Sequence, residues 1–240
     1  MCTVTFIPLS KNNFVLTSNR DEAPNRMTIP PQEYALNTVN ALFPKDERAG
    51  GTWIGSSAHG RTLCVLNGGF TYHEREENYR MSRGVIVKQL LDTPDLKTAI
   101  QELDLEGVEP FTLVIVDHST TLKLSQLVWD GSTKHYQVLG SKPTIWSSSS
   151  LYSDAMKKER HQWFFDFIND NELDEKSILQ FHKTAGANNL EYGVIMDRLF
   201  VKTTSITQVV KRESQVKMTF NHLDPQQVST TLNLLNIVEE

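Results

Sequence analysis

Thr3-Val4-Thr5-Phe6-Ile7, directly after Cys2, reads as a β-strand, because β-branched and aromatic side chains suit a pleated, half-buried surface. Phe14–Ser18 is a second extended run, and Ser10-Lys11-Asn12-Asn13 between them supplies turn residues. An antiparallel hairpin brings the start of its first strand beside the end of its second. The second strand closes in Asn19-Arg20-Asp21-Glu22, so these four polar residues are expected next to Cys2. Layers built outward from this hairpin set the fold class.

The same juxtaposition carries chemistry. Removal of Met1 would leave a thiol and an α-amine on one residue, a nucleophile with its own general base, the amine having an unperturbed pKa of roughly 7.7–8. Arg20 beside it would lower the thiol pKa and favour thiolate, and Asp21 would accept hydrogen bonds from the α-ammonium. Asn67 ends a later strand just before Gly68-Gly69, where a side-chain amide suits an oxyanion; one such donor is worth ~2.7–4 kcal/mol of barrier. Taken without Cys2, residues 19–22 are an ordinary solvated charged turn, and Asn67 equally suits a turn.

The chain has 240 residues, 39% hydrophobic and 22% charged, with a formal net charge of −5. That composition supports a core and argues against a nucleic-acid binder, which needs concentrated Lys and Arg. The longest strongly apolar stretch, Phe111–Val116, is too short to cross a bilayer. With no secretory signal pattern and only Cys2 and Cys64, a reducing cytoplasmic setting is the expectation. Seven scattered histidines give no zinc spacing, and no Walker or dinucleotide glycine motif occurs, so no metal and no cofactor is implied. Cys64, inside an apolar strand, is expected to be buried and unreactive. Nothing in the sequence sets an oligomeric state.

Glu22 to about Pro44 reads as a polar, proline-bearing loop. Gly50-Gly51-Thr52-Trp53-Ile54-Gly55 leads into a hairpin with Thr62–Leu66. Helices are expected over Met81–Leu91, Asp95–Leu103, Asp154 to about Ile168 and Asp174–Phe181, from apolar residues at i,i+3 and i,i+4. Strands are expected at Phe111–Asp117, Leu122–Trp129, His135–Leu139, Ser205–Lys211 and Gln215–Asn221, and Asp117-His118 as a surface turn. Strands, helices, strands, helices, strands suit a layered α+β domain with two facing sheets and helices outside. The expected division is one domain over 1–223 and a polar tail over 224–240.

Met1-Cys2-Thr3, Asn19-Arg20-Asp21-Glu22, Gly50–Gly55 and Ser82-Arg83-Gly84 stand in the order and spacing of the NRDE family, that of transport-and-Golgi-organisation protein 2. The resemblance is dense from Met1 to about Leu91. It implies an N-terminal nucleophile (Ntn) hydrolase fold, a four-layer αββα sandwich. More distantly, the Cys2 start resembles penicillin V acylases and bile-salt hydrolases, which implies Cys2 as nucleophile and base, Arg20 and Asp21 flanking it, and Asn67 as oxyanion donor. The chain departs from the pattern where relatives carry a Ser-Asn pair, reading Trp146-Ser147-Ser148-Ser149-Ser150. It also has Lys202-Thr203-Thr204-Ser205 in place of Gly-Thr-Arg, and Met27 after Arg26 in place of proline.

Two functions follow as expectations. One is an N-terminal-cysteine hydrolase of a non-peptide carbon–nitrogen amide bond, acting on a small, partly apolar molecule. The alternative is a non-catalytic protein that binds or carries an apolar ligand, haem or an acyl-lipid by resemblance. Either way the partner is a small-molecule or lipid-like ligand.

Overall fold

The computed structural model describes residues 3–224, 226–227 and 229–235. The opening hairpin forms from β1 (Thr3–Ser10) and β2 (Asn13–Glu22), antiparallel, with Thr3 opposite Asn19 and Phe6 opposite Leu16. The chain then lays down a seven-stranded antiparallel meander in sequence order. Its members are β3 (Thr28–Ala35), β4 (Asn40–Asp46), β5 (Ile54–Ser57), β6 (Arg61–Asn67), β7 (Phe111–Asp117), β8 (Lys123–Trp129) and β9 (Lys134–Leu139). Four further strands, β10 (Thr144–Ser147), β11 (Lys202–Arg212), β12 (Gln215–His222) and β13 (Thr230–Leu235), join the hairpin in a six-stranded sheet ordered β10-β1-β2-β11-β12-β13.

Alternation along β1 and β2 explains why the two sheets stack. Val4, Phe6, Phe14 and Leu16 join a core with Cys64, Leu66 and Val114 of the other sheet. Ile7 and Val15 point the opposite way, into a second cluster with Phe164, Ile178 and Phe181. Those aromatics belong to α3 (Asp154–Asp170) and α4 (Glu175–Thr184), which cover the six-stranded sheet. On the far side, α1 (Arg83–Asp92) buries Ile86, Val87, Leu90 and Leu91 against the meander, next to α2 (Leu96–Glu102). The four-layer αββα sandwich of Ntn-hydrolase type is therefore the observed architecture. No helix among the described residues is long and apolar enough to cross a membrane.

The helix and strand expectations fall on observed elements, with ends moved by a few residues. Helix starts are fixed by caps: Ser82, Asp95, Ser153 and Asp174 each accept hydrogen bonds from the first-turn amides. Three expectations need correction. Residues 22–44 are largely a β-ribbon, because Pro30 and Pro31 sit at a register break between Ile29 and Gln32 on an edge strand, where a missing N–H is tolerated. The stretch expected as a polar tail carries β13, whose Leu232 and Leu234 pack on the core opposite Met218 and Val216. His118 is 5% exposed, because its amide donates to Gly60 O (2.7 Å) and its ring lies against Phe14.

Two glycines of the sequence motifs meet face to face. A Cβ on Gly51 would lie 2.6 Å from the Gly84 carbonyl carbon, and Thr52 N donates to Gly84 O at 3.1 Å. The Gly-Gly-Thr-Trp loop and the start of α1 thus pack backbone on backbone, which only glycine allows. Gly51→Ala is expected to cost about 2 kcal/mol in urea unfolding, as overpacked sites do. Gly140→Ala has open space around its Cβ and should stay within about 0.5 kcal/mol; equal midpoints for the two would refute the close-packing account.

Candidate functional site

Met1 and Cys2 lie outside the described residues. Thr3 is the first described residue, and its Cα partner on β2 is Asn19. The four residues Asn19–Glu22 follow at the same pole, and the strand's alternation divides them between two faces.

Arg20 projects between the sheets. It is 3% exposed, donates from Nη2 to Asp46 Oδ2 at 2.6 Å, and lies 4.6 Å from the ring centroid of Trp53. Asp46, at the end of β4, also accepts from Arg26 Nε (2.7 Å) and from the Ala49 amide (2.8 Å). Burial pushes the Asp46 carboxyl up, but the Arg26 hydrogen bond, the Ala49 amide and the charges of Arg26 and Arg20 outweigh it and hold the group below the usual carboxylate range. Glu22 completes the cluster, 3.6 Å from Arg26 and 3.8 Å from Arg20. Desolvation is the largest influence on Arg20 and lowers its pKa, yet two carboxylates keep it a cation.

These groups line a cleft of about 80 Å³ together with Asn67, Arg83 and the backbone that opens α1. The structure therefore brings Arg20 and Asn67 to the walls of one cavity. Gly68 takes φ +86°, and a Cβ there would lie 2.9 Å from Ser150 N, so the turn after Asn67 requires glycine. The serine run closes this turn: Ser148 Oγ donates to Asn67 O and Ser149 Oγ to Gly69 O, both at 2.7 Å. Both hydroxyl protons are spent on carbonyls, so neither serine supplies a donor in place of the missing asparagine.

Asp21 projects to the other face, toward the helices. It accepts from Tyr152 Oη (2.7 Å) and Thr203 Oγ1 (2.6 Å) and is 2% exposed. Tyr152 in turn has the Arg160 guanidinium 3.9 Å from its ring centroid. Arg160, fully buried, donates to Gly193 O (3.1 Å) and to Ser147 Oγ (3.3 Å). Lys202, which stands where relatives carry Gly-Thr-Arg, pairs with Glu22 in the β2–β11 register.

Asn19 is a brace on that same face. Its Nδ2 donates to His182 O (3.0 Å) and Val194 O (2.6 Å), so its Oδ1 accepts from His182 Nδ1. The ring is thereby the Nδ1–H tautomer, and Nε2 accepts from Thr5 Oγ1 at 2.7 Å. Burial, with the Arg160 charge adding to it, lowers the His182 pKa to about 3; burial does the same for His118, also to about 3. The unfolded rings take up protons near pH 6.5 while the folded rings do not until about pH 3, so stability falls as pH drops through that window. Each ring should remove about 2 kcal/mol between pH 7.5 and pH 5. Urea midpoints at the two pH values check this, and an unchanged midpoint would show that the rings are charged in the fold.

Sequence reasoning missed Asp46, Tyr152, Thr203, Arg160 and His182. Arg160 sits in Lys-Lys-Glu-Arg-His, which reads as a solvated helix face. Cys64 is buried as expected, and burial raises its thiol to about 12.

Residues 1–224 match the family model described as Transport and Golgi organisation 2. The chain is 29% identical over 205 residues to the mouse Transport and Golgi organization 2 homolog, covering 80% of this chain and 73% of that protein. A solved Caenorhabditis elegans N-acylethanolamine-hydrolyzing acid amidase ortholog superposes with TM-score 0.61 at 11% identity, over 87% of this chain and 92% of that one. A variant of conjugated bile acid hydrolase from Clostridium perfringens gives 0.58 at 9%, over 98% and 92%. Penicillin V acylase from Agrobacterium tumefaciens gives 0.55 at 11%, over 98% and 86%. At such identities the likeness shows the shared Ntn-hydrolase fold.

Proposed function

The chain belongs to the Transport and Golgi organisation 2 family, and from that premise we propose that it is an N-terminal-cysteine amide hydrolase. The observation that carries this reading is that Thr3, next in sequence to Cys2, pairs with Asn19 on β2, just before Arg20 and Asp21, and that Arg20 and Asn67 line one cleft.

The reaction needs Met1 removed. The thiolate of Cys2 attacks the amide carbonyl carbon, and the oxyanion that forms takes a hydrogen bond from Asn67. The C–N bond then breaks; the α-amine, having accepted the thiol proton, returns it to the leaving nitrogen, and water hydrolyses the thioester. Arg20, on the cleft side, favours the thiolate. Asp21, on the helix side, orients the amine, so one strand end uses both of its faces. Met27, exposed and next in sequence to Arg26 of the cleft, suits a partly apolar substrate.

A second reading has its own observation. Ser148 and Ser149 are committed to carbonyls, which leaves the oxyanion one side-chain amide and favours a non-catalytic binder of an apolar ligand such as haem or an acyl-lipid. Intact mass and thiol labelling separate the two. A hydrolase lacks Met1, and a cysteine-directed electrophile at pH 7 modifies Cys2 while Cys64 stays unmodified. Retained Met1, or equal labelling of both thiols, would remove the catalytic reading.

A further inference from the structure

Among the described strands that end a sheet, β9 is the least defended. An edge strand offers unpaired backbone N–H and C=O groups to any second strand, and folded proteins blunt it with proline, a bulge, free charge or brevity. β3 has Pro30, Pro31 and a register break, β10 spans four residues, and β13 packs against β3. β9 runs six residues without proline, and its register with β8 is unbroken from Lys134 opposite Trp129 to Leu139 opposite Leu124. Its charge is already engaged: Lys134 Nζ donates to the carbonyls of Ile100 (3.0 Å), Gln101 (2.6 Å) and Leu103 (3.0 Å). His135 Nε2 is 2.6 Å from Asp130 Oδ2.

The side chains this edge exposes are apolar. Tyr136 and Val138, 52% and 65% exposed, share one face of the sheet, opposite Leu127 and Ser125 of β8. Lys134 lies on the same face and reaches the end of α2, so the helix layer stops short of the other two. On the opposite face Gln137 is exposed, and Phe70, also exposed, lies with its ring centroid 5.0 Å from that of His135. The pattern is complementary to itself. In an antiparallel copy centred on Gln137, Tyr136 stands opposite Val138 of the partner subunit, and the twofold repeats that pair. His135 then meets Leu139 of the partner subunit, and Lys134 meets Gly140 of the partner subunit, so no like charges face each other.

We propose that β9 is the docking surface for a second copy of this chain, the two strands pairing antiparallel about a twofold axis at Gln137 and joining two meanders into one continuous sheet. A twofold contact uses the same patch on both subunits and so needs a patch that fits itself, which residues 135–139 provide. The pairing satisfies the open backbone groups of the edge and covers Tyr136 and Val138 with each other; aromatic and β-branched side chains form favourable cross-strand pairs. It also sets Leu139 of the partner subunit beside His135, the residue on which Phe70 lies. The contact is independent of the hydrolase reading.

Sedimentation of the full-length chain over a wide concentration range tests the association, and engineered cysteines test the register. The wild type is expected to sediment as a dimer. Gln137→Lys sets two like charges opposite each other on the axis, and Val138→Lys removes the apolar partner of Tyr136; each should weaken association at least tenfold. Both positions are exposed in the single chain, and melting curves show that the variants are folded. In a Cys2→Ala background, Gln137→Cys should cross-link two chains when oxidised with copper phenanthroline, because residues paired across antiparallel strands have Cα atoms about 4.5–5.5 Å apart, within reach of a disulfide. Gly140→Cys should stay uncross-linked: its Cβ has open space, but six strand positions separate the two copies, roughly 20 Å. A wild type that is monomeric throughout, a dimer that persists in both folded lysine variants, or cross-linking of Gly140→Cys as fast as of Gln137→Cys would overturn the proposal.

Discussion

Cys2→Ala is expected to reduce hydrolysis of acyl amides by at least about 10³-fold, as loss of a covalent nucleophile does elsewhere, with no change in melting midpoint. The two effects separate because the described pairings of β1 are backbone contacts from Thr3 onward, which the substitution leaves in place. Insertion of a leucine between Met1 and Cys2 should do nearly as much damage. It leaves the thiol in the chain but turns its α-amine into an amide, which cannot act as a base. Cleavage assays on the wild type and both variants decide the matter. A Cys2→Ala protein that retains turnover would end the nucleophile assignment, while an inactive alanine variant with an active insertion variant would place the base elsewhere.

The hairpin was legible because strand alternation is local. Val4, Phe6, Phe14 and Leu16 declare one apolar face, and turn residues fix the register. The layered order followed from the same logic, since each helix shows its apolar spacing and its cap within a few residues. Residues 22–44 were not legible, because proline content reads as loop unless one knows that β3 is an edge strand. Division of the Asn-Arg-Asp-Glu run between two faces follows from the pleat, but the partners on each face do not. Asp46 lies 26 residues from Arg20 and Thr203 182 residues from Asp21. Such pairings are set by how the sheets stack, which no local pattern encodes. Arg160 is the clearest case: its neighbours in sequence are polar, and only the fold over Tyr152 makes it interior.

Asp46→Ala is expected to cost about 3 kcal/mol or more, the range seen when one partner of a buried ion pair is removed. Arg20 would keep its burial and its charge but lose its 2.6 Å acceptor, retaining among the described residues only Glu22 at 3.8 Å as an ionic partner. Arg26 and the Ala49 amide lose their acceptor in the same step, so the loop joining β4 to the Gly-Gly-Thr-Trp motif loosens as well. Asp46→Asn should cost less, because the amide oxygen still accepts one guanidinium. Acid titration carries an independent signature. The folded carboxyl is held below its unfolded value, so its contribution is present at neutral pH and is lost as pH falls from the ordinary carboxylate range through the folded pKa. Wild type and Asp46→Asn should therefore converge in stability toward pH 3. Urea unfolding of the three proteins at pH 7 and pH 3.5 tests both claims. An Asp46→Ala cost under about 1 kcal/mol at pH 7 would mean that the bridge behaves as a surface pair and that Arg20 is oriented by stacking on Trp53 instead.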